Sequence, residues 1–491
     1  MVSVALADMQ KSLRTGVATL QWIVDGYMLA FAGLMLIGGT LGDLLGRKRV
    51  MLAGVALFCA GSLISALAGD ADTVVAGRVV MGIGAAACEP GTLSLIRQIY
   101  VERQARARAL GVWTSVSGIS LAAGPVLGGL LVALGGWRGI FWFNLVFGLV
   151  ALAAAAWTLP ESSDPAGRSL DLPGLVTGVA AISLVTFAVI EGENAGFTTP
   201  WIDGLFILGG LAAAGFVFVE RRTGDPVVRL EYFRIPTYSS ANAVAFATSF
   251  GLFAVFFFTA LYLQVVSHFS GWRIALQFLA MAVAIVVAGL LSGGWTAARG
   301  PRVPMVAGCL GAGGGIFVVD ALLKPNVSFA ALAAALALVG FGLGLALVAV
   351  TAAVLAIVPA ERSGMAASTV NTSRQLGGVL AVAILGAVVN ARLVGELGTK
   401  LSAIGVPSLF QGVIIHAVTG GGLPANAAAA AAANPLAAAA AAANPGLLGR
   451  VLDAATSAFG DGLHVALVIA AVMLLAGAAV SLAATRGDQP A

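Results

Sequence analysis

Three ionisable side chains sit inside long apolar runs, Asp25, Arg78 and Glu89, and a fourth, Asp43, closes such a run with Arg47, Lys48 and Arg49 a turn further on. A charge within a membrane-length apolar segment costs a few kcal/mol and normally faces a partner or a cavity. The chemistry open to these groups is proton exchange and ion pairing. Glu89 follows Arg78 by about three helical turns, so both share one face roughly 16 Å apart and cannot pair directly. They mark two depths of one aqueous path. Glu89 also reads as a hydrogen-bonded carboxyl beside Pro90, and Arg78 as a structural counter-ion. Asp25 lies in the outer third of its run, where it either snorkels to the surface or titrates in a cavity. Later in the chain Ser368, Asn371, Thr372 and Gln375 form a polar stripe at helical spacing with Arg374 beside it. Such a stripe lines a helix contact or a cavity, and we favour the cavity.

Asp43 belongs to GTLGDLLGRKR, residues 39–49. Gly39, Gly42 and Gly46 permit close helix approach and a tight turn. A carboxylate at this depth is placed to dock on the positive N-terminus of another helix. The helix that starts near Ser363 begins on the same side. That contact would form when this side closes and break when it opens, with Asp43, Arg47 and Arg49 as a gate.

These side chains need membrane helices to hold them. The chain has 491 residues, 59% hydrophobic and 10% charged, with a mean hydropathy of +1.00. Repeated apolar runs of about twenty residues match the hydrocarbon thickness. Spans are expected near 22–42, 51–69, 74–96, 110–134, 140–158, 171–191, 201–219, 240–265, 274–296, 303–322, 328–357, 364–389 and 462–484, with residues 1–9 as the outer end of one more, about fourteen in all. Asp171 caps one helix, with Pro173 in its first turn. Residues 390–461 form the one long loop. Its "NAAAAAAANP" and "LAAAAAAANP" read as short helices or a low-complexity insert without chemistry.

Placing the 39–49 loop inside also gathers Arg97, Arg103, Arg106, Arg108, Arg221 and Arg222 there, while the outer loops hold Lys11, Arg14, Arg138, Arg273 and Lys324. This positive-inside bias puts both termini in the cytoplasm. It also explains the net charge of +4 without a nucleic-acid partner.

Gly39-x-x-x-Asp43-x-x-Gly46-Arg47-Lys48 has an echo in Gly293-x-x-x-Ala297-x-x-Gly300-Pro301-Arg302. Two six-helix halves separated by an inserted helix pair place both loops equivalently, and parallel repeats of this kind build transporters whose site lies between the halves. The halves are expected at 1–158 and 240–491, with two inserted helices and a linker at 159–239.

GTLGDLLGRKR resembles the signature loop of the major facilitator superfamily. "RVVMGIG", "GISLAAGPVLGGLL", "WRGIFWFN" and "GMAASTVNTSRQLGG" resemble further motifs of its drug:proton antiporter branch with fourteen spans, the EmrB/QacA-like exporters. The resemblance covers nearly the whole chain outside 390–461. It implies an all-α polytopic fold of two six-helix bundles plus two inserted helices. It also implies that Gly118, Gly124, Pro125, Gly128 and Gly129 form the antiporter motif, whose bare face packs closely, and that Arg78 stands near a proton-handling acid. Met81 and Ala297 depart from the family pattern. "MVSVALADMQ" resembles the outer half of the family's first helix, whose acid would fall before Met1, so the first helix is expected to be incomplete.

No G-x-x-x-x-G-K-[ST] loop appears, which argues against direct use of ATP. Cys59, Cys88 and Cys309 lie in apolar runs, and His268, His416 and His464 are scattered, so neither disulfides nor a metal site are expected. The reading is a monomeric, multi-pass transporter of a bacterial plasma (inner) membrane. It exports a small, amphipathic compound in exchange for protons, with no cofactor beyond the proton gradient. Asp25, Arg78 and Glu89 are the proton-handling candidates, with Asn371, Arg374 and Gln375 beside the path. Export of one metabolite or lipid-like product, or a non-transporting remnant or sensor, are the alternatives.

Overall fold

A computed structural model describes residues 2–15, 17–162, 171–197, 199–267, 269–324, 326–406, 411–412, 414–415 and 445–484. The described residues hold helices and turns, with no strand. A first group comprises α1 (Val2–Leu13), α2 (Val17–Leu45), α3 (Arg47–Leu67), α4 (Ala71–Ile99), α5 (Arg103–Gly135) and α6 (Arg138–Thr158). Next come α7 (Leu172–Ala195) and α8 (Pro200–Glu220), which pack on each other, and a linker with a 3-10 turn at Leu230–Arg234. The second group is α9 (Pro236–Ala254), a π turn (Val255–Thr259), α10 (Ala260–Val265), α11 (Gly271–Arg299), α12 (Arg302–Leu322), α13 (Phe329–Ile357), α14 (Ser363–Ala403) and α15 (Pro445–Ala484).

Helix starts follow local chemistry. Asp171 accepts from Gly174 N at 2.9 Å, and Asp70 caps α4 through Thr73 N at 2.8 Å. A large apolar core joins α9–α15, and a smaller one joins α1–α6 around Met9, Ile23, Met81, Trp137 and Phe141. Glycines bring helices together in both groups. A Cβ on Gly54 would lie 2.6 Å from the Gly84 carbonyl oxygen, where α3 crosses α4, and one on Gly308 2.6 Å from that of Gly342, where α12 crosses α13. Gly308 follows Gly293 by the same step that separates Gly54 from Gly39, so the internal repeat extends past the loop into the packing that follows it.

Twelve helices among the described residues are long and apolar enough to cross a membrane. The other two of the expected fourteen are α1 and α5. The 12 residues of α1 reach about 18 Å, short of a ~30 Å hydrocarbon core. The 33 residues of α5 carry no charge from 109 to 135, a length that can span the core. Asp8 ties α1 to the start of α6, accepting from Trp137 N at 2.8 Å.

The expected loop at 390–461 is shorter than the sequence suggests. Helix α14 runs to Ala403, and α15 starts at Pro445. Leu393, Leu397 and Leu401 bury one stripe, while Arg392, Glu396 and Lys400 occupy other faces. This amphipathic helix falls below a uniform-apolarity signal although its buried face continues the bundle. The alanine-rich stretch at 416–444 lies outside the described residues.

Candidate functional site

The two groups are joined at the end where α2 turns into α3. Gly46 makes that turn at φ +107°, a left-handed value that glycine adopts without a Cβ penalty. The turn sets Arg47 against Asp43. Arg47 Nε and Nη2 donate to Asp43 Oδ1 at 2.9 and 2.6 Å, and Nη2 also donates to the carbonyls of Ala360 and Glu361, both at 3.0 Å. Asp43 in turn accepts from Gly364 N on Oδ1 and Met365 N on Oδ2, each at 3.0 Å. Arg362 at the N-cap of α14 makes no side-chain cap hydrogen bond; its guanidinium turns instead to Asp225, at 3.5 Å. The first group therefore supplies the cap, a carboxylate on the positive end of the dipole. Arg97 adds a further grip, donating to Val358 O at 2.7 Å. Arg47 is fully buried and Asp43 nearly so.

Close approach makes this possible. A Cβ on Gly39 would overlap the Gly364 carbonyl oxygen and lie 2.6 Å from Ser368 Oγ. Arg49, expected in the gate, does not reach the contact. It is 79% exposed and lies 3.4 Å from Glu161 Oε2, because residues two apart on a helix point to different sides. Lys48 likewise turns to the Ala156 carbonyl, at 2.7 Å.

A second seam joins α5 to α11. A Cβ on Gly118 would meet Ile285 at 3.1 Å, one on Gly111 the Gly289 carbonyl at 2.8 Å, and one on Gly293 the Ala107 carbonyl at 2.5 Å. Ser115 Oγ donates to Val286 O at 3.0 Å. Gly118 thus packs closely on α11, whereas Gly129 has nothing within 4 Å. Gly124, Pro125 and Gly128 lie on the same later stretch of α5, and Gly128 is buried. Beyond Gly118 the helices part around a cleft lined by Ile119, Ala123, Trp272, Leu276, Leu279 and Val283. The α5–α11 seam is therefore tight toward the Asp43 end and parts beyond Gly118. At the second seam Ala297 stands where the repeat has Asp43, and Glu102 at the N-cap of α5 makes no side-chain cap hydrogen bond.

The internal charges separate into three places. Arg78 is buried on α4, donates from Nε to the Ile23 carbonyl of α2 at 2.8 Å and stacks 4.2 Å over the Tyr27 ring. It fastens α4 to α2. Asp25 lies on α2 within electrostatic reach of Glu191 near the end of α7. Glu89 and Arg374 act on each other electrostatically across the halves. Arg374 is held by its own half. Nη1 donates to Asn371 Oδ1 at 3.2 Å, and Nη2 to Thr351 Oγ1 at 2.7 Å and to Leu347 O at 3.2 Å. Its guanidinium lies 5.9 Å from the Trp113 ring of α5. The polar stripe of α14 divides accordingly: Ser368 packs at the Gly39 contact, Asn371 positions Arg374, and Gln375 is half-buried one residue on.

Sequence reasoning missed Tyr27, Thr351 and Trp113, ordinary residues of apolar helices, and the cross-group role of Arg97. Asp320 lies near the end of α12. Its side chain is 11% exposed and pairs with His464 Nδ1 at 2.6 Å, because α12 packs on α15. Among the described residues no cluster of His, Cys, Asp or Glu could hold a metal ion.

The Major Facilitator Superfamily model matches residues 1–382. The chain belongs to this superfamily. Its members are transporters, not enzymes. Multidrug resistance protein Stp of Mycobacterium tuberculosis (strain ATCC 25618 / H37Rv) is 33% identical over 82% of this chain and 74% of its own. Tetracenomycin C resistance and export protein of Streptomyces glaucescens is 29% identical over 100% of this chain and 88% of its own. Multidrug efflux pump LfrA of Mycolicibacterium smegmatis is 30% identical over 97% and 90%. The human organic anion transporter MFSD10 (TETRAN) shares the fold at a TM-score of 0.55 and 15% identity, covering 96% of this chain and 88% of that one. Within this superfamily fold, α2 meets α14 and α5 meets α11 along the line between the halves.

Proposed function

We propose that this major facilitator protein exports small amphipathic compounds in exchange for protons, by alternating access, in a bacterial plasma membrane. The observation that carries the reading is the cap that Asp43 places on α14 while the α5–α11 seam parts away from it. One end is latched, and a latch made of hydrogen bonds and an ion pair can be broken and remade. Positive-inside bias makes the latched end cytoplasmic and puts both termini there. The two bundles are residues 1–158 and 240–491, joined by the inserted pair within 159–239.

Glu89 is the proton carrier. It is half-buried on α4 between the halves and opposed by Arg374 across them. Asp25, beside Glu191 on the flank, is the weaker candidate. The driving force is the proton gradient, in which one charge crossing 100 mV gains about 2.3 kcal/mol. The protein works as a monomer and needs no cofactor. Relatives named for multidrug efflux support a broad substrate range, whereas those named for a single antibiotic support export of one product.

Expression in a bacterium stripped of its own exporters tests this. Reduced ethidium accumulation, reversed by a protonophore, is expected, and a panel of antibiotics separates broad from narrow export. Accumulation unchanged for every compound would overturn the reading.

A further inference from the structure

We propose that the cavity under the linker between α8 and α9 binds the headgroup of an anionic phospholipid. Arg221, Arg229 and Arg234 would hold the phosphate, with Val217, Leu230 and Phe233 against the glycerol and the upper acyl chains. The site lies away from the Asp43 latch and from Glu89, and it does not rest on the export reading.

Helix α8 has 21 residues, about 32 Å, enough to cross a ~30 Å hydrocarbon core once. Glu220 closes it, so Arg221 and the residues that follow emerge at headgroup depth. Asp225 of the same linker pairs with Arg362 at 3.5 Å, which places the linker at the latched end. There the chain folds over a cavity of about 830 Å³ lined by Arg221, Arg229 and Arg234 together with Val217, Leu230 and Phe233.

The positive charge of this cavity is not compensated. Among the described residues no ion pair within 4.0 Å joins these three arginines to a carboxylate. Two acids also belong to the lining, Glu220 and Glu231. Glu220 is buried and turns inward. Its Oε2 accepts from Val228 N at 3.1 Å, and its Oε1 would lie 2.7 Å from a Cβ on Gly174 of α7. Glu231 is exposed on the 3-10 turn. Three guanidiniums therefore face one outward carboxylate. Arg222, 4.1 Å over the Phe218 ring, adds a further positive charge on the same turn of chain.

The apolar part of the lining favours a lipid over a free anion. Phe218 and Phe233 are exposed, and Val217 lies one turn before Arg221 on α8. Inorganic phosphate gains nothing from these side chains. A phospholipid sets its phosphate on the guanidiniums, whose planar forks match phosphate oxygens, and runs its chains along α8 into the core. Basic pockets at the ends of membrane helices hold anionic headgroups in this way.

The test is native mass spectrometry of the purified full chain in detergent, titrated with phosphatidylglycerol or with phosphatidylcholine. One phosphatidylglycerol is expected to bind in preference to phosphatidylcholine. Arg229→Gln with Arg234→Gln should weaken it at least tenfold. Arg234→Gln alone, at an exposed position where folding is not at stake, should weaken it severalfold. Arg108→Gln with Arg299→Gln removes two exposed bases elsewhere at the same end and should leave binding unchanged. Equal binding of the two lipids, undiminished binding in the Arg229 and Arg234 variants, or an equal loss in the Arg108 and Arg299 pair would overturn the inference. Displacement of the lipid by millimolar inorganic phosphate would also overturn it, in favour of a free-phosphate site. Binding is read without transport, so its failure leaves the export reading untouched.

Discussion

Gly39 and Gly364 meet backbone to backbone, so that a Cβ on either would overlap the carbonyl oxygen of the other. One turn after Gly39, Asp43 reaches the amides of Gly364 and Met365. The cap and the close approach are one device, since the carboxylate reaches only if the backbones touch.

Gly39→Val and Gly364→Val are therefore expected to hold the latched end apart while the chain still inserts and folds. Alkylation of Thr40→Cys from the cytoplasmic side should rise severalfold, and export should fall by more than tenfold. Equal labelling in the variants and their parent would show that this contact does not govern closure.

Asp43→Asn keeps the shape and removes the charge. Arg47, fully buried, is left without its counter-ion. Breaking such a pair costs about 3–5 kcal/mol, charged here to the closed state, and each ~1.4 kcal/mol is tenfold in population. Export should drop at least hundredfold. A second change, Arg47→Met, removes the stranded charge and is expected to restore part of the closed population, read by the same labelling.

Arg78→Lys loses the planar fork that serves the Ile23 carbonyl and the Tyr27 ring together. We expect a loss of about 1–3 kcal/mol, as for a buried group left short of its partner, seen as a lower Tm in detergent.

The start of α4 carries a pH dependence of known sign. The Thr73 N–H and hydroxyl both donate to Asp70, at 2.8 and 3.1 Å, and hold its carboxyl below the usual range. A carboxyl depressed in the folded state contributes stability above its unfolded value and loses it as pH falls through the folded one. Amide exchange at Thr73, corrected for its intrinsic rate, should quicken below about pH 4. In Asp70→Ala it should already be fast at neutral pH.

The sequence made the membrane helices legible through length and apolarity, and the α2–α3 loop through its glycines and charges. The docking of Asp43 near Ser363 follows from helix polarity and from which helix begins on that side. Arg49 misled because bases in a row look equivalent until the Gly46 turn fixes which one faces Asp43. Gly111 and Gly289 gave no signal of their own, since in a chain with 64 glycines only the packing of α5 on α11 distinguishes them. Thr351 was invisible for a similar reason. A lone hydroxyl in an apolar helix acquires meaning from an arginine on another one.

The most direct measurement is collapse of a pH gradient in energised everted vesicles on addition of ethidium and a panel of antibiotics. The proposed exchange predicts substrate-dependent collapse with the parent protein and none with Glu89→Gln at equal expression. Collapse that is equal in both, or absent in the parent for every compound, would contradict proton-coupled export through Glu89.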